Sequence, residues 1–146
     1  MSKGRSGLFP NSRSNAKLLS AIAYNAVRHM INSSPGGKGK AMAIGAYDTK
    51  TGEIATAFAG QVPKKIHPDL IKRAESIGGI GSKGLTNKNT VGVCAEFHVI
   101  NQLLLNGSKF SDIHLTTPIR PRTGKPQPYC ANCQKMFEDI INKEDN

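Results

Sequence analysis

The stretch VCAEFHVINQLLLNG at residues 93–107 decides the reading of this chain, together with PYCANCQKMF at 128–137. The first reads as a helix opened by Cys94, with Val99, Ile100, Leu103 and Leu104 at helical spacing on its inward face and Asn106-Gly107 as its C-cap. The second begins a helix from Cys130 to about Asn142, with Met136, Phe137, Ile140 and Ile141 inward. The chain has 3 cysteines, and all of them stand at these two helix starts: Cys94, then Cys130 and Cys133. A thiol at a helix N-terminus meets the positive end of the helix dipole, which favours the thiolate. Cys130 and Cys133 are three residues apart and share one face of a turn, so both can reach one ion. Three thiolates can hold zinc and leave its fourth position to water, as a catalytic zinc site requires. Glu96 lies two residues past Cys94 and is not needed as a ligand, which frees it to move protons.

Other readings of the cysteines make different demands. A redox CxxC pair would leave Cys94 without a duty, and no thioredoxin-like βαβ pattern surrounds it. A structural zinc site would take a fourth ligand from His29, His67, His98 or His114.

Working outward, residues 1–13 read as a flexible basic lead and residues 14–146 as a single domain. Ser14 or Asn15 can cap a helix to about Asn32, with Leu18, Leu19, Ile22, Ala23, Ala26, Val27 and Met30 on one face. Pro35 and the glycines after it break that helix. Ala41–Tyr47 and Glu53–Ala59 read as a hairpin joined by turn residues 48–52, its alanine face small enough for close helix packing. Pro68-Asp69 opens a short helix with Leu70, Ile71, Ala74 and Ile77 inward. Gly78–Gly84 reads as a loop, a candidate wall of a cleft, and Asp112–Thr117 as a strand. Residues 118–128 hold half of the 8 prolines with Arg120, Arg122 and Lys125, which suggests an extended basic loop. The order α-β-β-α-α-β-α fits a three-layer α/β/α sandwich.

Composition narrows the partners. Twenty Lys and Arg stand against ten Asp and Glu, a formal net charge of +10. Residues 1–137 hold nineteen of those basic residues and six of the acids, a balance of +13. Such a surface suits a polyanion, nucleic acid or an acidic protein. No apolar run approaches the ~20 residues of a membrane span, and no dense basic amphipathic helix favours a membrane surface. Met1–Asn15 has no apolar stretch of the kind a signal peptide needs.

The motif Cys94-Ala95-Glu96, followed by a helix, a strand and Cys130-x-x-Cys133, resembles the cytidine-deaminase-like superfamily of zinc deaminases. Residues 93–103 and the run from Pro121 to Gln134 are more particularly similar to the YwqJ-type deaminases of bacterial polymorphic toxins. The resemblance spans about residues 15–142. It implies a deaminase-like sandwich, Zn²⁺ on Cys94, Cys130 and Cys133, and Glu96 as general acid and base. It also implies hydrolytic deamination of a nucleobase, with cytosine favoured. A toxin domain of this kind would be secreted or delivered within a larger protein, act in the target-cell cytoplasm and be neutralised by an acidic immunity protein. The high charge favours a single-stranded polynucleotide over a free nucleoside, with Arg120, Arg122, Lys125 and Tyr129 as candidates for phosphate contact and base stacking.

The chain departs from the superfamily pattern in two ways. Tyr129 separates Pro128 from Cys130, and only 13 residues follow Cys133, where the family fold continues with further strands. The sandwich is therefore expected to be short at its C-terminal end. Two other functions share these residues: a zinc-stabilised nucleic-acid-binding module without turnover, and a free cytidine deaminase.

Overall fold

The computed structural model describes residues 12–85 and 89–142. It opens on helix α1 (Ser12–Ser33), which holds no proline, glycine or acid. Its buried stripe is narrow, Leu19, Ala23, Val27 and Ile31 at four-residue spacing. Leu18 and Ile22, expected inward, stay 56% and 44% exposed. The helix also starts at Ser12, before the expected cap, and Asn15 is buried inside it. Apart from residues 12 and 13, the basic lead lies outside the described residues.

Strands β1 (Ala43–Asp48) and β2 (Ile54–Phe58) form the expected hairpin, in register from Ala43 opposite Phe58 to Tyr47 opposite Ile54. Asp48 holds its turn, because its Oδ1 accepts from the Lys50 N–H at 2.7 Å and the Thr51 N–H at 3.0 Å. Alternation along the strands sends Ala43 and Tyr47 towards α1, and Ile44 and Ala46 towards the opposite face. On that opposite face, helix α3 (Ala95–Leu105) lies against β1 and β2 over Ala55 and Ala57, and helix α2 (Pro68–Glu75) joins the same core through Leu70 and Ala74. The expected inward residues of α3 are all buried, and Phe97 joins them with no exposure at all.

Strand β3 (Ile113–Leu115) runs antiparallel along the other edge of β1, with Leu115 opposite Ala46. The proline-rich segment is not an extended loop. It folds into a second small hairpin, β4 (Ile119–Arg120) and β5 (Lys125–Pro126), whose first strand reaches Ala43. The Thr123 and Gly124 amides close its turn on the Arg120 carbonyl, and the positive φ of Gly124, 74°, makes that turn possible. The prolines are tolerated because this hairpin lies at the sheet edge.

The last expected helix is two helices, α4 (Ala131–Met136) and α5 (Glu138–Ile141), broken at Phe137. A regular helix would aim neighbours 136 and 137 about 100° apart. The break lets Met136, Phe137 and Ile140 all reach the core. Arg73 ties α2 to this break. It donates to the Met136 carbonyl at 2.8 Å, pairs with both Asp139 oxygens and lies 3.7 Å over the Phe110 ring. The result is a mixed α/β fold with helices on both faces of an antiparallel sheet, and no strand follows α5 among the described residues. Among those residues, no helix is long and apolar enough to cross a membrane.

Helix α1 approaches β1 closely at Gly45, where an added Cβ would lie 3.0 Å from Val27 Cγ2 and 3.1 Å from the Ala23 carbonyl oxygen. Gly45→Val overpacks this contact and is expected to cost about 1–3 kcal/mol, read from urea denaturation. Stability equal to the parent would contradict the close approach.

Candidate metal centre

Two chain breaks bring the thiols together. Cys94 is the N-cap of α3 and Cys130 the N-cap of α4, both in extended backbone, and Cys133 follows in the first turn of α4. The three Sγ atoms lie within 4.8 Å of one another, with Cys94 and Cys130 at 2.7 Å. Cys94 and Cys133 are buried and Cys130 is half-buried. Three soft sulfur donors within a span that two bonds of about 2.3 Å can bridge suit a metal ion such as zinc.

No histidine or carboxylate among the described residues joins the group. His67 Nδ1 accepts from the Asp69 N–H at 3.0 Å and so caps α2. His114 stacks on the Tyr47 ring at 5.2 Å. His98 Nε2 lies 3.3 Å from the Gly60 carbonyl oxygen, behind the cleft wall, where burial lowers its pKa. His29 sits on the exposed side of α1. A fourth protein ligand, as a closed structural zinc site demands, is not in reach among the described residues.

The sulfurs share charge unequally. Hydrogen bonds from the Cys133 and then the Cys94 thiol draw the Cys130 pKa down to about 3. Sharing with Cys130, together with burial, pushes Cys94 and Cys133 upward. A cation entering this cluster would displace the retained protons, so metal binding weakens as pH falls.

Glu96 comes from the first turn of α3, is 2% exposed, and accepts the Cys130 N–H at 2.9 Å on Oε2. Burial raises its pKa to about 7 against the opposing pull of that N–H. The carboxyl group thus spans from one helix start to the other, beside the sulfurs.

Glu96, Cys94 and Cys130 line a cleft of about 880 Å³, within the ~300–1,000 Å³ common for small-molecule sites. Arg120 and Tyr129 also line it, but Arg122 and Lys125 do not. Arg122 stands in a separate cleft, and Lys125 is exposed on β5. Arg120 donates to Gln127 Oε1 at 3.3 Å, and Tyr129 donates its hydroxyl to the Thr116 carbonyl at 3.2 Å. Gly78–Gly84 is not in the wall, although Asn89 and Val93, further along the same connection, are.

Sequence reasoning missed the amide groups of the wall, Gln61, Asn89 and Gln127. Their only signal is position, just after β2, just before Cys94 and just before Tyr129. Asn132, in the first turn of α4, has a structural task. Buried between two cysteines, it accepts the Leu85 N–H at 2.9 Å and donates to the Asn89 carbonyl at 3.0 Å. It therefore pins both sides of the connection that carries the wall. Gly84 is packed so tightly against this amide that no Cβ fits there.

No protein family, curated protein or solved structure matches this chain.

Two outcomes follow from this geometry. The purified protein should bind one zinc per chain, by elemental analysis, and Cys94→Ser should lower its affinity at least tenfold. Full retention of zinc by that variant would remove Cys94 from the site. Asn132→Ala removes a buried amide that accepts from the Leu85 N–H and donates to the Asn89 carbonyl, and should cost about 1–3 kcal/mol in thermal denaturation, while zinc stoichiometry is kept.

Proposed function

We propose that this chain is a zinc-dependent hydrolytic deaminase of the YwqJ type, a toxin domain acting on nucleobases in a polynucleotide. Cytosine and single strands are the favoured substrates. The observation that carries the reading is the buried Glu96 carboxyl group, fixed beside three cysteine sulfurs on the wall of a cleft. A purely structural zinc site does not need this carboxylate to complete its ligands, although the group also holds the start of α4 through the Cys130 N–H. The fold is compatible with a deaminase-like α/β/α sandwich, since helices cover both faces of the sheet and the two cysteine-bearing helix starts meet on one of them.

Cys94, Cys130 and Cys133 would hold the zinc. When bound, the ion supplies a Lewis acid that makes water a competent nucleophile near neutral pH. The chain's own part is proton transfer. The Cys130 N–H holds Oε2 of Glu96 in place, and the carboxyl group takes a proton from the attacking water. It passes that proton to the ring nitrogen, then takes the second proton from the hydroxyl group added to the ring carbon and gives it to the amino group, which leaves as ammonia while the carbonyl forms. Met42, Val93 and Tyr129 offer flat or apolar surface to a base, while Gln61, Asn89 and Gln127 offer amides to its polar edge. Arg120, on the same wall, would meet a neighbouring phosphate. A base must leave its stack to enter such a cleft, and a single strand avoids most of that cost.

The toxin reading adds delivery within a larger secreted protein and an immunity partner whose acidic face matches the net charge of +10.

Zinc-loaded parent and Glu96→Gln are compared on single-stranded DNA, RNA and free nucleosides, by sequencing and nucleoside analysis. The parent should convert amino-bearing bases, and the variant should lose about 10²–10⁴-fold in rate while keeping its zinc. Near-parental turnover by Glu96→Gln would remove the residue from the chemistry. If the zinc-loaded parent converts no base at all, a zinc-stabilised binding module replaces the deaminase.

A further inference from the structure

A second cleft, of about 190 Å³, lies between α1, the turn Gly37–Gly39 and the β4–β5 turn. Arg28, Lys38 and Arg122 converge on it from these three elements, and the buried Ile119 side chain lies between them. Its lining contains no carboxylate. The ion pairs among the described residues, His67 with Asp69 and Arg73 with Asp139, involve none of its cations. The sequence explains this one-sided charge. The cleft is built from segments 12–47 and 113–137, and neither contains an Asp or a Glu. No carboxylate in the lining offsets these three exposed cations.

The supports of these cations are well defined. Arg28 and Asn32 stand one turn apart on α1. The turn bearing Lys38 is pressed against α1, because buried Gly37 packs on the Ile31 carbonyl so closely that a Cβ would clash. The turn bearing Arg122 is closed on the Arg120 carbonyl by the Gly124 amide at 2.8 Å. The β4–β5 hairpin also separates the two clefts, with Arg120 on the metal-centre side and Arg122 on the other.

We propose that the Arg28–Lys38–Arg122 cleft is a second anion-binding site that holds the phosphodiester backbone of a single-stranded polynucleotide beyond the nucleotide occupying the metal cleft. The inference takes from the proposed function only that the ligand is a polynucleotide. One strand crossing the hairpin would meet Arg120 on one side and the three-cation cleft on the other. This extends the site past the target base and makes binding depend on strand length and salt.

The test is fluorescence anisotropy with labelled oligothymidylate of twenty nucleotides, whose bases carry no exocyclic amine and so are not turned over. The full-length zinc-loaded chain is compared with the Arg28→Ala/Lys38→Ala/Arg122→Ala variant across a salt series. Each phosphate contact on a single strand contributes a log–log slope of about −0.7, so the variant should bind with a slope shallower by about 2. Zinc content and melting temperature serve as controls on folding. Should the triple variant fail to fold, Arg122→Ala on its exposed turn should still lose about 0.7 of slope. Equal affinity and slope in parent and variant would overturn the proposal. So would poly-glutamate competing as well as unlabelled oligothymidylate for the parent, which would assign the cleft to an acidic protein. A deaminase failure with intact slope loss would count against the catalytic reading alone, and the reverse result against this cleft alone.

Discussion

The starts of α3 and α4 are separated by 36 residues of chain, yet the Cys130 N–H donates to Glu96 across that gap. Everything specific about the centre depends on this meeting. It needs the small face of β1 and β2, where Ala55 and Ala57 let α3 lie close to the sheet. It needs β3 and the β4–β5 hairpin to carry the chain back along the other edge of β1. It also needs the break at Phe137, held by Arg73, which turns α4 into the core while Cys133 stays beside its partners. Each of these is a packing device remote from the chemistry, and together they bring two helix N-termini to one point.

Burying a carboxyl group with three thiols is costly by ordinary electrostatics. Within the protein the cost is met by sharing protons among the sulfurs and by raising the Glu96 pKa to about 7. A divalent cation would relieve it more fully, because opposite charge at the cluster favours the ionised thiolates. Glu96 offsets part of this cost by accepting the Cys130 N–H at the start of α4, while the surrounding core of Phe97, Val99 and Phe137 is apolar.

Much of this was legible in the sequence wherever the signal is local. The α3 stripe, the alanine-faced hairpin and the turn at Asp48 follow from periodicity and turn chemistry, and the structure has them at nearly the expected bounds. The cysteine grouping was legible because the only three thiols fall at two helix starts. What was not legible depends on tertiary placement. Prolines hid the β4–β5 hairpin, since their usual reading is against strands. The narrow contact of α1 with the sheet left Leu18 and Ile22 outside, although periodicity alone marks them inward. Nearness in chain suggested that Arg120 and Arg122 serve one surface, whereas the hairpin turn places them in different clefts. The four histidines could not be separated by sequence, and only the fold shows that none joins the sulfur cluster among the described residues.

In the proposed centre three cysteines hold zinc with one position left open beside Glu96. X-ray absorption at the zinc edge of the zinc-loaded protein tests it most directly. The account predicts three sulfur scatterers at about 2.3 Å and one oxygen or nitrogen at about 2.0 Å. That light scatterer should exchange with added small anions such as azide. A shell of four protein ligands, whether a fourth sulfur or a histidine nitrogen that resists exchange, would contradict it and make the centre structural.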